Sequence, residues 1–183
     1  LAAVKLGVKT AHLEAGLRSF DRTMPEEINR LVTDAIADLL WTPSPDGDKN
    51  LLREGIGPDK IVRVGNIMID SLEMMRPKIE HEKYFQKYGF EEKRYGMVTL
   101  HRPTNVDAPE MLEKLVNMLL RVSKKLPLIF PVHPRTKKNL ESAGIDRKLK
   151  DGCHIILLEP LSYVPFMSLV FNCRLVITDC GGV

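Results

Sequence analysis

Short apolar runs alternate with amphipathic stretches through the first third of the chain. Apolar runs of strand length predict three strands, at 8–14, 39–43 and 61–64. Apolar residues at i, i+3, i+4 spacing predict helices between them, over 25–40 and 46–54. This order of strands and helices is typical of a parallel sheet with helices on both faces.

A second series of the same kind fills the rest of the chain. Strands are predicted at 95–100, 128–132, 154–158 and 175–178, and helices at 109–125, 137–143 and 163–173. Between the series, residues 67–89 form long charged helices, with Pro77 expected to break the first from the second. We therefore predict two Rossmann-like α/β domains. The limits are 1–66 for the end of the first domain, 67–94 for a helical connection and 95–183 for the start of the second.

Composition excludes several classes of protein. The 183 residues are 44% hydrophobic, which is enough to fill a core, and 27 basic against 24 acidic residues leave a net charge of only +3. That charge predicts neither a nucleic-acid nor a membrane partner. Three cysteines without CxxC spacing indicate reduced thiols rather than a disulfide framework or zinc site, so we expect a soluble cytoplasmic protein.

The ends of the sequence have the character of an internal segment. The chain begins with Leu1 and stops at DCGGV, where a strand and turn normally lead into a helix. We expect a piece of a longer protein, to which any function belongs first.

Unusual polar residues follow four of the predicted strands. These groups are His12–Arg18, His101–Pro103, His133–Arg135 and Asp179–Gly182. Because the carboxyl ends of parallel strands face the ligand crevice, we expect the groups to converge in a cleft between the domains. Arginines 18, 102 and 135, with the two histidines, would make that cleft positive and suited to a phosphate-bearing ligand.

Two further features carry candidate chemistry, each with a plainer alternative. Gly181 and Gly182 after a strand let backbone N–H groups approach a diphosphate, although such a pair also forms ordinary turns. Glu14 and Glu26 are the candidate acid and base. A salt bridge would also explain Glu14, and a favourable helix dipole would also explain Glu26, which follows Pro25 in a first helical turn.

Six motifs in order resemble the non-hydrolysing UDP-N-acetylglucosamine 2-epimerases along essentially the whole chain. They are HLEAGLR at 12–18, MPEEINR at 24–30, GNxxID at 65–70, TLHRP at 99–103, PVHPR at 131–135 and TDCGG at 178–182. The resemblance implies the glycosyltransferase B type of fold with a UDP-sugar in its cleft. It also implies interconversion of UDP-N-acetylglucosamine and UDP-N-acetylmannosamine by elimination and re-addition of UDP, without metal or nicotinamide.

The resemblance also implies roles for particular residues. Glu14 and Glu26 match catalytic carboxylates, and His101 matches a catalytic histidine near the diphosphate. Substrate-binding positions are Arg102, His133, Tyr163, Phe166, Cys180, Gly181 and Gly182. Within this set, Arg102 and His133 match contacts to a second, activating UDP-N-acetylglucosamine, and Tyr163 and Phe166 match the segment beside the uracil. Cys180 replaces the usual serine, and a thiol is a weaker hydrogen-bond partner than a hydroxyl.

Partners and alternatives follow from the same resemblance. UDP-N-acetylglucosamine is expected as substrate and allosteric activator, and the full-length protein as a homodimer. Because a catalytic aspartate and a ribose-binding glutamate of the family lie outside residues 1–183, the isolated segment should be inactive. The alternatives are a hydrolysing or diacetamido-uronate 2-epimerase, a glycosyltransferase of the same fold, or a fragment that binds nucleotide sugar without turnover.

Overall fold

A computed structural model describes residues 1–151 and 154–180 of the chain. The chain divides into two compact units, residues 1–74 and 75–183. The predicted domain limits, at residues 66 and 94, stay predictions. Among the described residues, no helix combines the length and the apolar character that crossing a bilayer requires.

The first unit contains a three-stranded parallel sheet. Its strands are β1 (Ala11–Leu13), β2 (Leu39–Thr42) and β3 (Ile61–Arg63), in the order β1-β2-β3. Its helices are α1 (Ala2–Lys5), α2 (Pro25–Ile36), α3 (Pro45–Arg53) and the start of α4 (Ile67–His81), with a 3₁₀ turn at Pro58–Lys60. All strand pairs are parallel, as the alternating pattern predicts.

Local sequence explains where two of these helices begin and end. Pro25 occupies the first turn of α2, where its missing N–H costs nothing, and Ser44 caps α3 by accepting the Gly47 N–H at 3.3 Å. Helix α2 ends at Ile36, four residues before the predicted end. Ala37 is already extended, because Leu39 enters β2.

The two faces of this sheet are unlike. Leu40 is fully buried in a small core with Ala15 and Leu51. The other face carries a row of Leu13, Trp41 and Val62, which are register partners across the three strands and are 37–43% exposed. The first unit therefore has one packed and one open apolar face.

Pro77 does not break the charged segment, contrary to prediction. Helix α4 continues from Ile67 to His81 with Pro77 inside it, and Ile79, two residues further, is completely buried. Burial of that side chain holds the last turn although Pro77 supplies no N–H to the helix. The segment predicted as a second charged helix is a 3₁₀ turn, Tyr84–Tyr88, which ends at Gly89 with φ of 74°.

The second unit has a four-stranded parallel sheet. Its strands are β4 (Gly96–Thr99), β5 (Leu128–Pro131), β6 (Ile155–Leu158) and β7 (Leu175–Thr178), in the order β6-β5-β4-β7. Its helices are α5 (Pro103–Val106), α6 (Pro109–Ser123), α7 (Pro134–Ser142), α8 (Asp146–Asp151) and α9 (Tyr163–Asn172). The predicted α/β class is confirmed, while the short helices α5 and α8 were not predicted.

Alternation along the strands builds two cores in this unit. Val98 and Phe130 face one cluster, whereas their neighbours Met97 and Ile129 face the other, because successive strand residues point to opposite faces. Helix α6 covers the first face with Leu112, Val116 and Leu119, as its spacing predicts. The sheet is thus covered on both sides, which is the rule for parallel sheets.

Candidate active site

The strand order of the second unit creates a crevice at the predicted polar motifs. Across the sheet, the strands are β6, β5, β4 and β7, which come third, second, first and fourth along the chain. The order of the strands therefore reverses between β4 and β7. Ligands of open α/β sheets bind at the carboxyl ends of the strands beside such a reversal. His101 follows β4 at this point, and Asp179 and Cys180 follow β7.

A cavity of about 280 Å³ opens at this edge of the sheet. It is lined by Thr99, Leu100, His101, Pro131, His133, Pro160, Leu161, Phe166 and Cys180. The structure therefore brings together four predicted site residues: His101, His133, Phe166 and Cys180. Arg102 and Tyr163 are exposed and are not among the lining residues, and Gly181 and Gly182 lie outside the described residues.

Asp179 anchors the loop that follows β4. Its Oδ2 accepts the backbone N–H of His101 at 3.0 Å, the backbone N–H of Arg102 at 2.8 Å and the side-chain amide of Asn105 at 3.2 Å. Burial alone would raise the pKa of this carboxyl, but these hydrogen bonds outweigh burial and lower the pKa below its usual value. Asp179 is therefore an ionised anchor between β4 and β7.

The two imidazoles of the cavity have different partners. The ring of His133 caps α7, its Nδ1 accepting the backbone N–H of Arg135 at 3.2 Å. The Nδ1 of His101 lies 3.2 Å from the Oδ1 of Asp179. The ring centroids are 6.0 Å apart. Helix α7 begins three residues earlier than predicted, so the PVHPR motif is a helix start rather than a loop.

Arg135, which the sequence predicted to make the crevice positive, is paired with a carboxylate in the structure. Its Nε and Nη2 bind the two carboxylate oxygens of Asp107 at 2.7 and 2.5 Å. This bidentate pair neutralises the guanidinium and ties α7 to the end of α5. Among the described residues, the positive charge that the sequence predicted from Arg135 is balanced by the carboxylate of Asp107.

A second cavity, of about 350 Å³, lies beside α7, α8 and the outer strand β6. Its lining includes Lys137 and Glu159, which pair with each other at 2.5 Å. It contains no histidine and none of the predicted site residues. The smaller cavity, at the reversal of strand order, is the better candidate site.

Glu14 occupies a strained position in the first unit. It follows β1 directly, its side chain is exposed, and its φ of 67° lies in the left-handed region that non-glycine residues rarely adopt. The next residues hold it there: the Ala15 N–H donates to the Trp41 carbonyl at 3.0 Å. A Cβ on Gly16 would lie 2.3 Å from the Gly47 carbonyl oxygen, so only glycine permits this close approach.

A buried ionic network holds the loop that follows β1. Asp34 on α2, which is 1% exposed, accepts from the His12 Nδ1 at 2.5 Å, the Gly16 N–H at 3.1 Å and the Arg18 guanidinium at 2.7 Å. Arg18 also binds Glu54, the residue directly after α3, through two nitrogens at 2.8 and 2.6 Å. The side chain of Arg18 is 1% exposed, so its predicted contribution to phosphate binding is wrong: it is a structural cation.

The adjacent residues Glu26 and Glu27 have opposite environments. Glu26 is exposed in the first turn of α2, and its side chain makes no hydrogen bond to another described residue. Glu27 is 2% exposed and accepts from the Ser19 N–H at 2.9 Å, the Phe20 N–H at 3.0 Å and Arg30 at 2.8 Å. These hydrogen bonds, that of the Ser19 backbone first, lower the pKa of Glu27 to about 2.

Sequence reasoning missed the roles of Asp34 and Asp179. The role of Asp34 has a signal in the sequence, because Glu27, Leu31 and Asp34 share one face of α2. A polar residue on a buried helix face must find a polar partner. Nothing in the sequence around Asp179 indicates that its carboxylate reaches back 77 residues to the Arg102 amide. Within residues 1–151 and 154–180, no group of three His, Cys, Asp or Glu side chains is arranged to hold a metal ion.

Known proteins match the chain along its whole length. The sequence model of the family described as UDP-N-acetylglucosamine 2-epimerase matches residues 1–183. A protein of that name from Methanococcus maripaludis is 44% identical over all of this chain and 51% of its own length. The UDP-2,3-diacetamido-2,3-dideoxy-D-glucuronate 2-epimerase of Pseudomonas aeruginosa is 36% identical over all of this chain and 50% of its own length.

Solved structures agree with the sequence matches. The UDP-GlcNAc 2-epimerase of Methanocaldococcus jannaschii in complex with UDP-GlcNAc and UDP matches 98% of this chain and 51% of its own, with 42% identity and a TM-score of 0.84. The matches confirm the predicted fold class, Rossmann-like domains of the glycosyltransferase B type. The chain spans about half the length of the curated relatives it matches. This chain belongs to the UDP-N-acetylglucosamine 2-epimerase family.

Proposed function

We propose that this chain forms about half of an enzyme that interconverts UDP-N-acetylglucosamine and UDP-N-acetylmannosamine. The observation that carries the proposal is the cavity beside the reversal of strand order, which both His101 and His133 line, in a chain whose family match covers every residue. A relative with 42% identity was solved with UDP-GlcNAc and UDP bound, which supports a UDP-sugar as the ligand.

The reaction needs two kinds of group. In the elimination, a base removes the C2 proton, the C2–H electron pair forms the C1–C2 double bond, and the C1–O bond breaks to release UDP with its electrons. In the re-addition, the double-bond electrons take up a proton on the opposite face of C2, and a UDP oxygen donates an electron pair to C1 and re-forms the C1–O bond. Carboxylates that move a proton and donors that stabilise the departing diphosphate therefore act on different parts of the substrate.

Glu14 and Glu26 supply the carboxylates in this proposal. Both side chains are exposed, and neither has a hydrogen-bond partner among the described residues, so each is available to a ligand. Glu27 is excluded as the base because its oxygens already bind Ser19, Phe20 and Arg30. An exchange experiment tests whether each of the two glutamates takes part in moving the C2 proton.

The cavity of the second unit receives the nucleotide in this proposal. His101 contacts the diphosphate as the catalytic histidine, Phe166 lies beside the uracil with Tyr163, and Cys180, Gly181 and Gly182 form the phosphate segment. The Cys180 N–H donates at 3.0 Å to the Thr178 hydroxyl, which fixes the start of that segment. Arg102 and His133 contribute to the binding of UDP-N-acetylglucosamine.

The test is proton exchange at C2 in the full-length protein. Incubation with UDP-N-acetylglucosamine alone in heavy water should give UDP-N-acetylmannosamine with deuterium at C2. Glu14→Gln and Glu26→Gln should reduce incorporation at least about a hundredfold, since each loses proton transfer but keeps its shape. Glu110→Gln is the matched control: Glu110 is also an exposed first-turn glutamate after a helix-opening proline, and this variant should exchange normally.

The same incubation separates the alternatives. Epimer formation without an acceptor excludes a glycosyltransferase, and free UDP with free N-acetylmannosamine indicates a hydrolysing enzyme. The diacetamido-uronate epimerase remains the second candidate because a relative of that name is 36% identical over the whole chain. Faster turnover of the diacetamido-uronate than of UDP-N-acetylglucosamine would make it the better assignment.

Three further properties are part of the proposal. UDP-N-acetylglucosamine acts as an activator at a second position that includes Arg102 and His133, the full-length protein is a homodimer, and it works in the cytoplasm. Sigmoidal dependence of the rate on substrate, abolished in His133→Ala, is the expected sign of activation. A hyperbolic rate in the wild type would contradict it.

A further inference from the structure

We propose that Asp179 is a positioning residue that fixes the ring of His101 and places the ring proton on Nδ1. This inference depends on the proposed function only for the catalytic role of His101. The positioning of its ring by Asp179 follows from the geometry alone. Asp179 then does for His101 what a buried carboxylate does for the histidine of a serine-protease triad: it selects the tautomer and the orientation.

The two oxygens of Asp179 face different groups. Oδ2 is occupied by three donors: the backbone N–H groups of His101 and Arg102 and the amide of Asn105, at 2.8 to 3.2 Å. Oδ1 lies 3.2 Å from the His101 ring nitrogen Nδ1 and 3.3 Å from the His101 backbone N–H. The carboxylate side chain is only 6% exposed, so water competes weakly for these positions.

Electrostatics decides where the ring proton lies. An ionised carboxylate only accepts hydrogen bonds, so a lone pair on the His101 Nδ1 would face the lone pairs of Oδ1. A proton on Nδ1 turns that repulsion into attraction, and Nε2, on the far side of the ring, is left for the cavity that His101 lines. In the neutral ring Nε2 is an acceptor, and in the imidazolium it is a donor to the diphosphate.

His133 provides an internal comparison in the same cavity. Its Nδ1 accepts the Arg135 N–H, so the neutral ring carries its proton on Nε2. The two imidazoles therefore have opposite tautomers, although each follows a parallel strand in a similar motif. The difference comes from the partner of Nδ1, a carboxylate for His101 and a backbone N–H for His133.

Asp179→Asn tests this assignment with little change of shape. Three donors surround Oδ2, so the amide oxygen must take that place, because an NH₂ group there would face three other donors. The amide nitrogen then replaces Oδ1 and points its hydrogen at the His101 Nδ1. That nitrogen must become an acceptor, and the neutral ring must move its proton to Nε2.

The measurement is the ring ¹⁵N spectrum of histidine in the full-length protein. In the wild type, His101 should show the Nδ1–H pattern and His133 the Nε2–H pattern. In Asp179→Asn, His101 should switch to Nε2–H while His133 stays unchanged. Asn105→Ala, which removes one contact to Oδ2 but leaves the carboxylate, should keep the wild-type pattern of both rings.

Turnover supplies the second readout. We expect Asp179→Asn to lower kcat at least about tenfold with KM changed less than about threefold, because the wrong tautomer affects the reaction rather than binding. Asn105→Ala should retain kcat within about twofold. A merely structural role would instead lower both variants alike and shift the backbone amides of His101 and Arg102.

The outcomes separate this inference from the proposed function. An Nε2–H tautomer for His101 in the wild type overturns the positioning role even if Asp179→Asn fails to fold. An unchanged His101 tautomer in a folded Asp179→Asn variant also overturns it. If both spectra are as expected but the full-length protein makes no epimer, the proposed function fails and the tautomer assignment stands.

Discussion

At the scale of the residue, sequence neighbours of the same type have different tasks. Glu26 and Glu27 are adjacent in α2, and each step along a helix turns the side chain by about 100°. Glu26 therefore faces solvent, whereas Glu27 faces the loop before α2. Glu27 accepts the N–H groups of Ser19 and of Phe20, whose φ is 59°. The buried glutamate thus orders the loop that connects the exposed Glu14 and Glu26.

The pKa of Glu27 predicts how the first unit responds to acid. The carboxyl has a pKa of about 2 in the folded protein, against an ordinary value of 4.5, so its contribution to stability is complete above about pH 4.5. It is lost as the pH falls from about 4.5 to about 2, because protonation removes the charged acceptor. Glu27→Gln should flatten the pH dependence of the urea midpoint in this window.

Unfolding of the first unit can be followed separately, since the single tryptophan, Trp41, lies in β2. Glu26→Gln is the control, since it removes the same charge from an exposed site, and it should leave the slope of midpoint against pH unchanged. Equal slopes for wild type and Glu27→Gln would show that Glu27 does not stabilise the fold through its charge.

At the scale of the element, α2 reverses the usual relation between hydrophobicity and burial. Glu27 and Asp34 are buried, whereas Ile28 and Val32 on another face are 38% and 47% exposed. The periodicity of apolar residues correctly predicts a helix here, but it does not identify the face that packs on the first unit. That face is chosen by the contacts of Glu27 and Asp34 to His12 in β1 and to the loop between β1 and α2.

Substitutions in α2 should therefore lower the free energy of unfolding most at polar positions, the opposite of a ranking based on hydrophobicity. Asp34→Ala should lower the free energy of unfolding by about 3 to 5 kcal/mol, because it leaves the buried Arg18 without one of its two carboxylates. Val32→Ala should cost less than about 1 kcal/mol, since the side chain is half exposed. Urea titrations followed by Trp41 fluorescence measure both, and comparable losses would contradict the assignment.

At the scale of the whole molecule, strand order determines where the chemistry lies in the second unit. The loops after β4 and β7 meet because these strands are neighbours, although 75 residues separate Thr99 from the start of β7 at Leu175 on the chain. Parallel registers pair Thr99 with Thr178, whose hydroxyls hydrogen-bond at 2.7 Å. Asp179 then lies next to the loop that it anchors.

Binding of UDP to the full-length protein should slow amide hydrogen exchange at this edge of the sheet. We expect protection in peptides that cover residues 99–106 and 131–137. A ligand that binds only the folded form of these loops suppresses their local opening. Peptides from 145–149, beside the larger cavity, should exchange at an unchanged rate. Protection at 145–149 without protection at 99–106 would place the nucleotide in the wrong cavity.

The sequence by itself determined the α/β class, most of the strands and helices, and the polar motifs at the strand ends. These depend on periodicity and on short-range propensity, both of which are local. The motifs also predicted the family, and the comparisons with known proteins confirm it.

Only the tertiary structure decided which charged groups are available. Arg18 and Arg135 resemble phosphate ligands in the sequence, but Asp34, Glu54 and Asp107, from 16 to 36 residues away, neutralise them. Tertiary contacts likewise separated Glu26 from Glu27 and brought Asp179 to His101. The physical reason is that electrostatic pairing depends on distance in space, and strand order sets that distance independently of separation along the chain.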